Sequence, residues 1–299
     1  MTAISTTGLP GPAERRMILG LRLDGLGQGA ELAEHAGFDF VFFDDSTGPP
    51  TGGDALSVAA FLMSRTQHLG LAASVPDSWA PFNVARALAS FDHLSRGRCG
   101  WLPWPGVGET SHPARSAEHL DVVLQLFDSW DDDALVFDKA AAVFADRAKV
   151  RRIRHSGAFY TVDGPLNAPR PPQGRPVLIQ RRADASEVAD IVLVDLEGLG
   201  AGEDRHAGAP LRLAEIAVGL GADPRCAALA ERLAAAFPSR CDGFLLAPAD
   251  PAVEIPLLAE HLVPRLRTLG IASVPSPGAD FRTRLGLPRP VNRFTASRP

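Results

Sequence analysis

Cysteine is scarce in this 299-residue sequence, which carries only Cys99, Cys226 and Cys241. The number is odd and no two are spaced as C-x-x-C, which argues against a disulfide framework or a thiolate zinc site and fits a reducing compartment. Each is expected to be a small buried apolar residue. Long runs of one charge are also missing. The densest basic stretch is Lys149, Arg151, Arg152 and Arg154, in a chain of net charge −5, and basic and aromatic residues do not interleave. Nucleic acid is therefore not an expected partner. No apolar run approaches the roughly 20 residues of a membrane span. Residues 1–16, rich in Thr, Gly and Pro, lack the basic-then-apolar order of a signal peptide. They read as a flexible leader, and the location as cytoplasmic. A phosphate-cradling Gly-x4-Gly-Lys, a Gly-x-Ser-x-Gly elbow and any His/Cys/carboxylate cluster at metal-ligand spacing are all absent.

What remains is a globular composition, 45% hydrophobic and 22% charged. Met17–Leu23 and Phe38–Phe43 are short apolar runs of the kind buried on both faces of a parallel sheet. Between them, a Gly-rich turn opens a helix, Ala30 to Ala36, that stops at Gly37. Asp54 caps a helix through Arg65; Leu69–Ser74 and Arg98–Leu102 are strands on either side of a helix from Pro81 to Leu94. Ser116–Trp130 is amphipathic, with Leu120, Val123, Leu124 and Phe127 on one face.

Asp131–Arg175 breaks the alternation and reads as a surface excursion ending in a proline-rich run. Strands resume at Pro176–Gln180, Asp190–Leu196, Leu211–Val218 and Cys241–Leu246, with helices at Cys226–Phe237 and Pro256–Leu269 and an irregular tail after Ser273. Eight strand candidates alternating with helices predict one (β/α)8 TIM-type barrel over residues 17–299. Only Arg181–Ala189 separates the fifth and sixth strands, too little for an ordinary crossover helix, so the fifth helix must be vestigial.

Gly25-x-Gly27-x-x-Ala30, followed by Asp44 and Asp45, has the spacing of a dinucleotide-binding fingerprint. A tight loop at a barrel rim uses glycines in the same places, and it is the preferred reading.

Several stretches resemble one family. NVARALASFDHLSRGRCGW (Asn83–Trp101), DSWDDDAL with FYTVDGPLNAPRPPQGRPVLIQ (within Phe127–Gln180), ELAEHAGFDFVFFDD (Glu31–Asp45) and LGLPRPVNR (Leu285–Arg293) are similar, in order, to bacterial-luciferase-like flavin monooxygenases of the branch that includes nitrilotriacetate monooxygenase. The resemblance covers nearly the whole chain, although members of that branch are much longer. It implies FMN at the C-terminal ends of the strands, reduced by a separate NAD(P)H:flavin reductase, a small organic substrate, and a homodimer.

Residue by residue, the resemblance places Asp45 against the flavin and keeps a hydroxyl, Ser74, where the family has a threonine. Trp101 and Trp104 would stack on the ring or plug its space. Gln180, Arg181 and Arg182 replace a Gln-Ala-Gly-Ser-Ser run that contacts the flavin phosphate. The two arginines either clamp that phosphate or lie on the surface beside the missing helix. Leu102-Pro103-Trp104-Pro105-Gly106 replaces a polar run and loses backbone donors. A family His and Tyr fall near Thr110 and Ala114, with His112 as a substitute. His93 reads as a helix-end residue rather than a catalytic one. If the mouth is stoppered, the alternative is a flavin-poor homologue acting as a binding or partner subunit.

Overall fold

The computed structural model describes residues 16–47, 53–106, 112–197, 209–221, 223–273 and 278–296. Residues 1–15 of the expected leader and Thr110 lie outside them.

Strand β1 (Ile18–Arg22) leads into α1 (Ala30–Ala36), then β2 (Phe40–Phe43), α2 (Ala55–Leu62), β3 (Gly70–Pro76), α3 (Pro81–Leu94), β4 (Cys99–Trp104) and α4 (Pro113–Phe127). The excursion then folds into two hairpins, β5 (Leu135–Asp138) with β6 (Val143–Ala145), and β7 (His155–Ser156) with β8 (Thr161–Val162). Three residues of its basic stretch form ion pairs: Lys149 with Asp133 at 2.5 Å, Arg151 with Asp131 at 2.5 Å and Arg152 with Asp163 at 2.7 Å. Beyond it come β9 (Val177–Arg181), β10 (Ile191–Asp195), β11 (Leu211–Val218), α5 (Ala227–Ala236) and β12 (Gly243–Pro248). The chain continues through α6 (Pro251–Leu257), a π-helical turn and α7 (Val263–Thr268), and closes with two single-turn helices, α8 (Phe281–Arg284) and α9 (Arg293–Ala296).

The eight strands outside the hairpins close into one parallel barrel, in the order β1-β2-β3-β4-β9-β10-β11-β12. Successive side chains point to opposite faces, and here both faces are apolar. Ile18, Phe40, Phe42, Ala72, Leu102, Ile179, Leu193 and Leu245 fill the interior. Leu19, Leu21, Val41, Phe43, Leu71 and Leu178 face the helices in a second, outer core. This double burial explains the unbroken apolar runs in the sequence.

The tail is not irregular. A Cβ on Gly70 or Gly100 would lie 2.7 or 3.1 Å from the ring of Phe281, so these two glycines open the floor of the barrel to a plug from the far end of the chain. Arg282, next to the plug, is tied to Asp190 at 2.6 Å. The crossover from β9 to β10 carries only a 3-10 turn, Arg182–Asp184, in place of a helix, as its length requires.

Two helix starts move by three residues or more. α4 begins at Pro113, three residues before the expected Ser116, because His112 caps it by accepting from Arg115 N at 3.3 Å. The last long helical segment starts at Pro251, since a proline at the first helical turn costs no hydrogen bond.

Candidate functional site

Inward side chains on β1, β9 and β11 and just past β2 form one connected polar layer, while Trp104 at the end of β4 packs against the apolar interior. Arg22, on β1, reaches Glu215 of β11 at 3.0 Å. Glu215 also faces Arg181 of β9 at 3.4 Å, and Arg181 Nη2 lies 2.5 Å from Asp44 Oδ2, just past β2. Arg181 further donates to Ser46 Oγ at 3.1 Å. The Asp44 carboxylate is wholly buried, whereas the Arg181 side chain is 33% exposed. The layer is thus held from below and open to solvent at its guanidinium.

Ser74, at the mouth end of β3, is buried, and its Oγ accepts from Asp45 N at 2.7 Å. That bond leaves its hydroxyl hydrogen uncommitted among the described residues. The Asp45 carboxylate accepts from Ala55 N at 2.7 Å, at the first turn of α2. Burial, reinforced by the negative charges of Asp54 and Asp44, pushes its pKa above the ordinary carboxylate value despite that hydrogen bond. Asp45, Ser74 and Arg181 thus lie at the same end of the barrel, Asp45 bonded to Ser74 and Arg181 to the neighbouring Asp44 and Ser46.

The other expected site residues fall elsewhere. Trp101 is fully buried and pairs in register with Ala73 and Leu178, all three in the outer core. It faces the helices, not the mouth, so it neither stacks in the barrel nor stoppers it. Gln180, adjacent to Arg181, points outward. Its Oε1 accepts from Ser186 N and Oγ at 3.0 and 2.7 Å, and its Nε2 donates to Asp184 O at 3.0 Å, stapling the short crossover. Arg182 sits exposed on the 3-10 turn of the same crossover. His93 donates to Pro169 O at 3.3 Å across two surface segments, a structural role. Ala114 lies in the first turn of α4. A Cβ on Gly27 would come within 2.6 Å of Leu62, and Gly25 and Gly27 both have positive φ, so this turn is packed onto the outer core and leaves no slot for a pyrophosphate.

Arg22, Asp44 as a mouth residue, and Glu215 were not picked out from the sequence. Their signal was available: Arg22 closes β1, Asp44 just follows β2 and Glu215 lies within β11, each charged and in phase with its strand's inward positions.

Beside the mouth lies a cavity of about 480 Å³ between Pro103–Trp104–Pro105, the first half of α4 and the β9–β10 crossover. It occupies the flank of α4 that a full crossover helix would cover. No group of three or more metal-ligating side chains occurs among the described residues, and no helix there is long and apolar enough to cross a membrane.

The family model described as luciferase-like monooxygenase matches residues 6–197. The chain belongs to that family. Among curated proteins, a pristinamycin IIA synthase subunit of Streptomyces pristinaespiralis is 41% identical over 166 residues, covering 54% of this chain and 59% of that protein. Nitrilotriacetate monooxygenase component A of Aminobacter aminovorans is 31% identical over 224 residues, 61% of this chain and 49% of its own length. The chain therefore spans about half the length of the curated relatives it matches. A crystal structure of long-chain alkane monooxygenase superposes with a TM-score of 0.75 at 19% identity, covering 91% of this chain and 96% of the other, which shows the shared luciferase-like barrel.

Proposed function

We propose that this protein is an FMN-dependent monooxygenase that oxygenates a small organic molecule, with reduced flavin supplied by a separate NAD(P)H:flavin reductase and a homodimer as the working unit. The observation that carries this reading is the convergence of Asp45, Ser74, Arg181 and Arg22 at the C-terminal mouth of a luciferase-like barrel, the end where barrel active sites lie.

The donor set suits the polar edge of a flavin ring. Ser74 retains a hydroxyl hydrogen to give, and the partly exposed Arg181 places a guanidinium at the inner rim. Positive charge at the ring's pyrimidine edge favours the anionic reduced form. When bound, reduced FMN supplies the activation of dioxygen. The protein's residues do the rest. Asp44 and Glu215 hold Arg181 in place from opposite sides. Asp45, whose carboxyl pKa burial raises above the ordinary value, stands beside Ser74 and takes the backbone N–H of Ala55. The apolar barrel interior excludes water from below.

A second reading is a flavin-poor partner subunit, favoured by one observation. Arg22, Glu215, Arg181 and Asp44 satisfy one another, and Pro103 and Pro105 lack the N–H groups that would grip a phosphate. The similarity to one subunit of a multi-subunit synthase agrees with it. Gel filtration with FMN separates the two. Flavin absorbance travelling with the protein supports the monooxygenase, and a colourless protein that binds neither oxidised nor reduced FMN supports the partner subunit.

A further inference from the structure

The β5–β6 hairpin stands outside both hydrophobic cores, yet it is apolar. Val136, Phe137, Val143 and Phe144 are all exposed, the two phenylalanines by 62% and 59%, and none of the four belongs to the interior or to the outer core. Phe137 takes a positive φ of 54°, a left-handed conformation unfavourable for a bulky side chain. The register of β5 against β6 shifts there, and the two rings meet edge to face with centroids 5.2 Å apart. Backbone groups are open as well. The hairpin is a two-stranded sheet, so among the described residues the outer edges of β5 and β6 pair with no further strand. A ribbon of two short strands is marginal in water without a surface to cover it.

The charges around the rings repeat. Val136-Phe137-Asp138-Lys139 runs up to the tip and Val143-Phe144-Ala145-Asp146-Arg147 runs down to the base, so an acid and a base flank the rings at each end. Asp138 holds the turn through Oδ1, which accepts from Ala140 N and Ala141 N, and Asp146 accepts from Ala148 N through its own Oδ1. Lys149 is held by Asp133, whereas Lys139 and Arg147 form no ion pair among the described residues. An unrelated protein would need a surface tailored to this pattern. A second copy of the chain matches it by symmetry.

We propose that the β5–β6 hairpin is a docking surface for the same hairpin of a second copy of this chain, the two lying antiparallel about a two-fold axis through the phenylalanine pair. That arrangement gathers four rings at the centre and sets the tip of each hairpin over the base of the other. Lys139 then meets Asp146 and Asp138 meets Arg147, each contact being made twice. A parallel arrangement would bring each charge against its own copy. The contact gives the homodimer proposed above its surface and rests on that part of the reading; the flavin plays no part in it.

The test is sedimentation equilibrium of the full-length protein without FMN. An interface of this small area is expected to give a monomer–dimer equilibrium with a Kd on the order of 10 µM, weakened by added salt. Phe144→Ser, at an exposed position, should leave the melting temperature unchanged and raise the Kd about tenfold or more. Arg147→Asp and Asp138→Lys should each stay monomeric alone, because either change sets like charges together twice. Mixed, the two variants should pair, because the altered positions then meet with opposite signs. Lys139→Asp and Asp146→Lys form a second swapped pair, read in the same way. A parent protein that stays monomeric up to about 100 µM assigns the hairpin to a different partner and overturns the proposal. So does a dimer that survives Phe144→Ser, which would leave the homodimer standing on another face, and so does failure of both swapped pairs to associate on mixing.

Discussion

Arg181 Nη2 lies 2.5 Å from Asp44 Oδ2, joining the end of β9 to the end of β2 across the mouth of the barrel. The two strands are not neighbours: β3 and β4 stand between them. The pair therefore braces the ring across its width, and it exists only when the ring is closed.

Arg181→Met should destabilise the protein by about 3 kcal/mol, because it leaves the buried Asp44 carboxylate without its cation. Adding Asp44→Asn should recover most of that loss. Urea denaturation of the two single variants and the double variant measures the coupling. Strict additivity would mean that the pair contributes nothing to the fold.

The floor plug makes a separate demand. Phe281→Ala should cost about 3–5 kcal/mol, since the ring fills space that Gly70 and Gly100 leave open and the barrel above cannot collapse into it. Gly100→Ala should also destabilise, by overpacking against the same ring. If the double variant Gly100→Ala with Phe281→Leu is more stable than Gly100→Ala alone, the steric origin is established. Thermal melts read the difference.

Asp92 sets a pH dependence. Burial pushes its carboxyl pKa up to about 6 from the ordinary 3.8, against the hydrogen bonds it accepts from Gln173 and Cys99 N. A folded-state pKa above the unfolded one means that the group's contribution is fully present below the unfolded value and is lost as pH rises through the folded value. The stability of the parent protein relative to Asp92→Asn should therefore fall between about pH 4 and pH 6, by roughly 3 kcal/mol at most, and then level off. A relative stability that climbs over this interval would contradict the assignment.

Gln180→Glu should loosen the short crossover. The new carboxylate still accepts from Ser186 but faces the Asp184 carbonyl with no hydrogen to donate. A loss of about 1–2 kcal/mol is expected, with faster amide exchange confined to residues 182–190. Exchange spread over the whole barrel would point instead to a global effect.

The barrel was legible in the sequence because its evidence is local: short doubly apolar runs at regular intervals, each followed by a helical pattern. The missing crossover helix was legible from residue count alone. Other features were not. Trp101 lies in a strand whose two faces are both apolar, so the pattern gives no sign of which way the ring points. Phe281 fills the floor through Gly70 and Gly100, each of which, taken alone, looks like an ordinary strand glycine. The mouth layer was half visible. Asp45, Ser74 and Arg181 came from the family resemblance, whereas Arg22 and Glu215 acquire their role only through ring closure, which brings together residues 193 positions apart.

The proposed chemistry depends on flavin reaching that mouth. Anaerobic titration of the protein with photoreduced FMN, followed by quenching of tryptophan fluorescence, tests this most directly. The parent protein is expected to saturate at about one equivalent per chain, and the Arg181→Met, Asp44→Asn double variant, folded but without the guanidinium, to bind about tenfold more weakly. Absence of saturable binding by the parent protein, with FMN in either oxidation state, would contradict it.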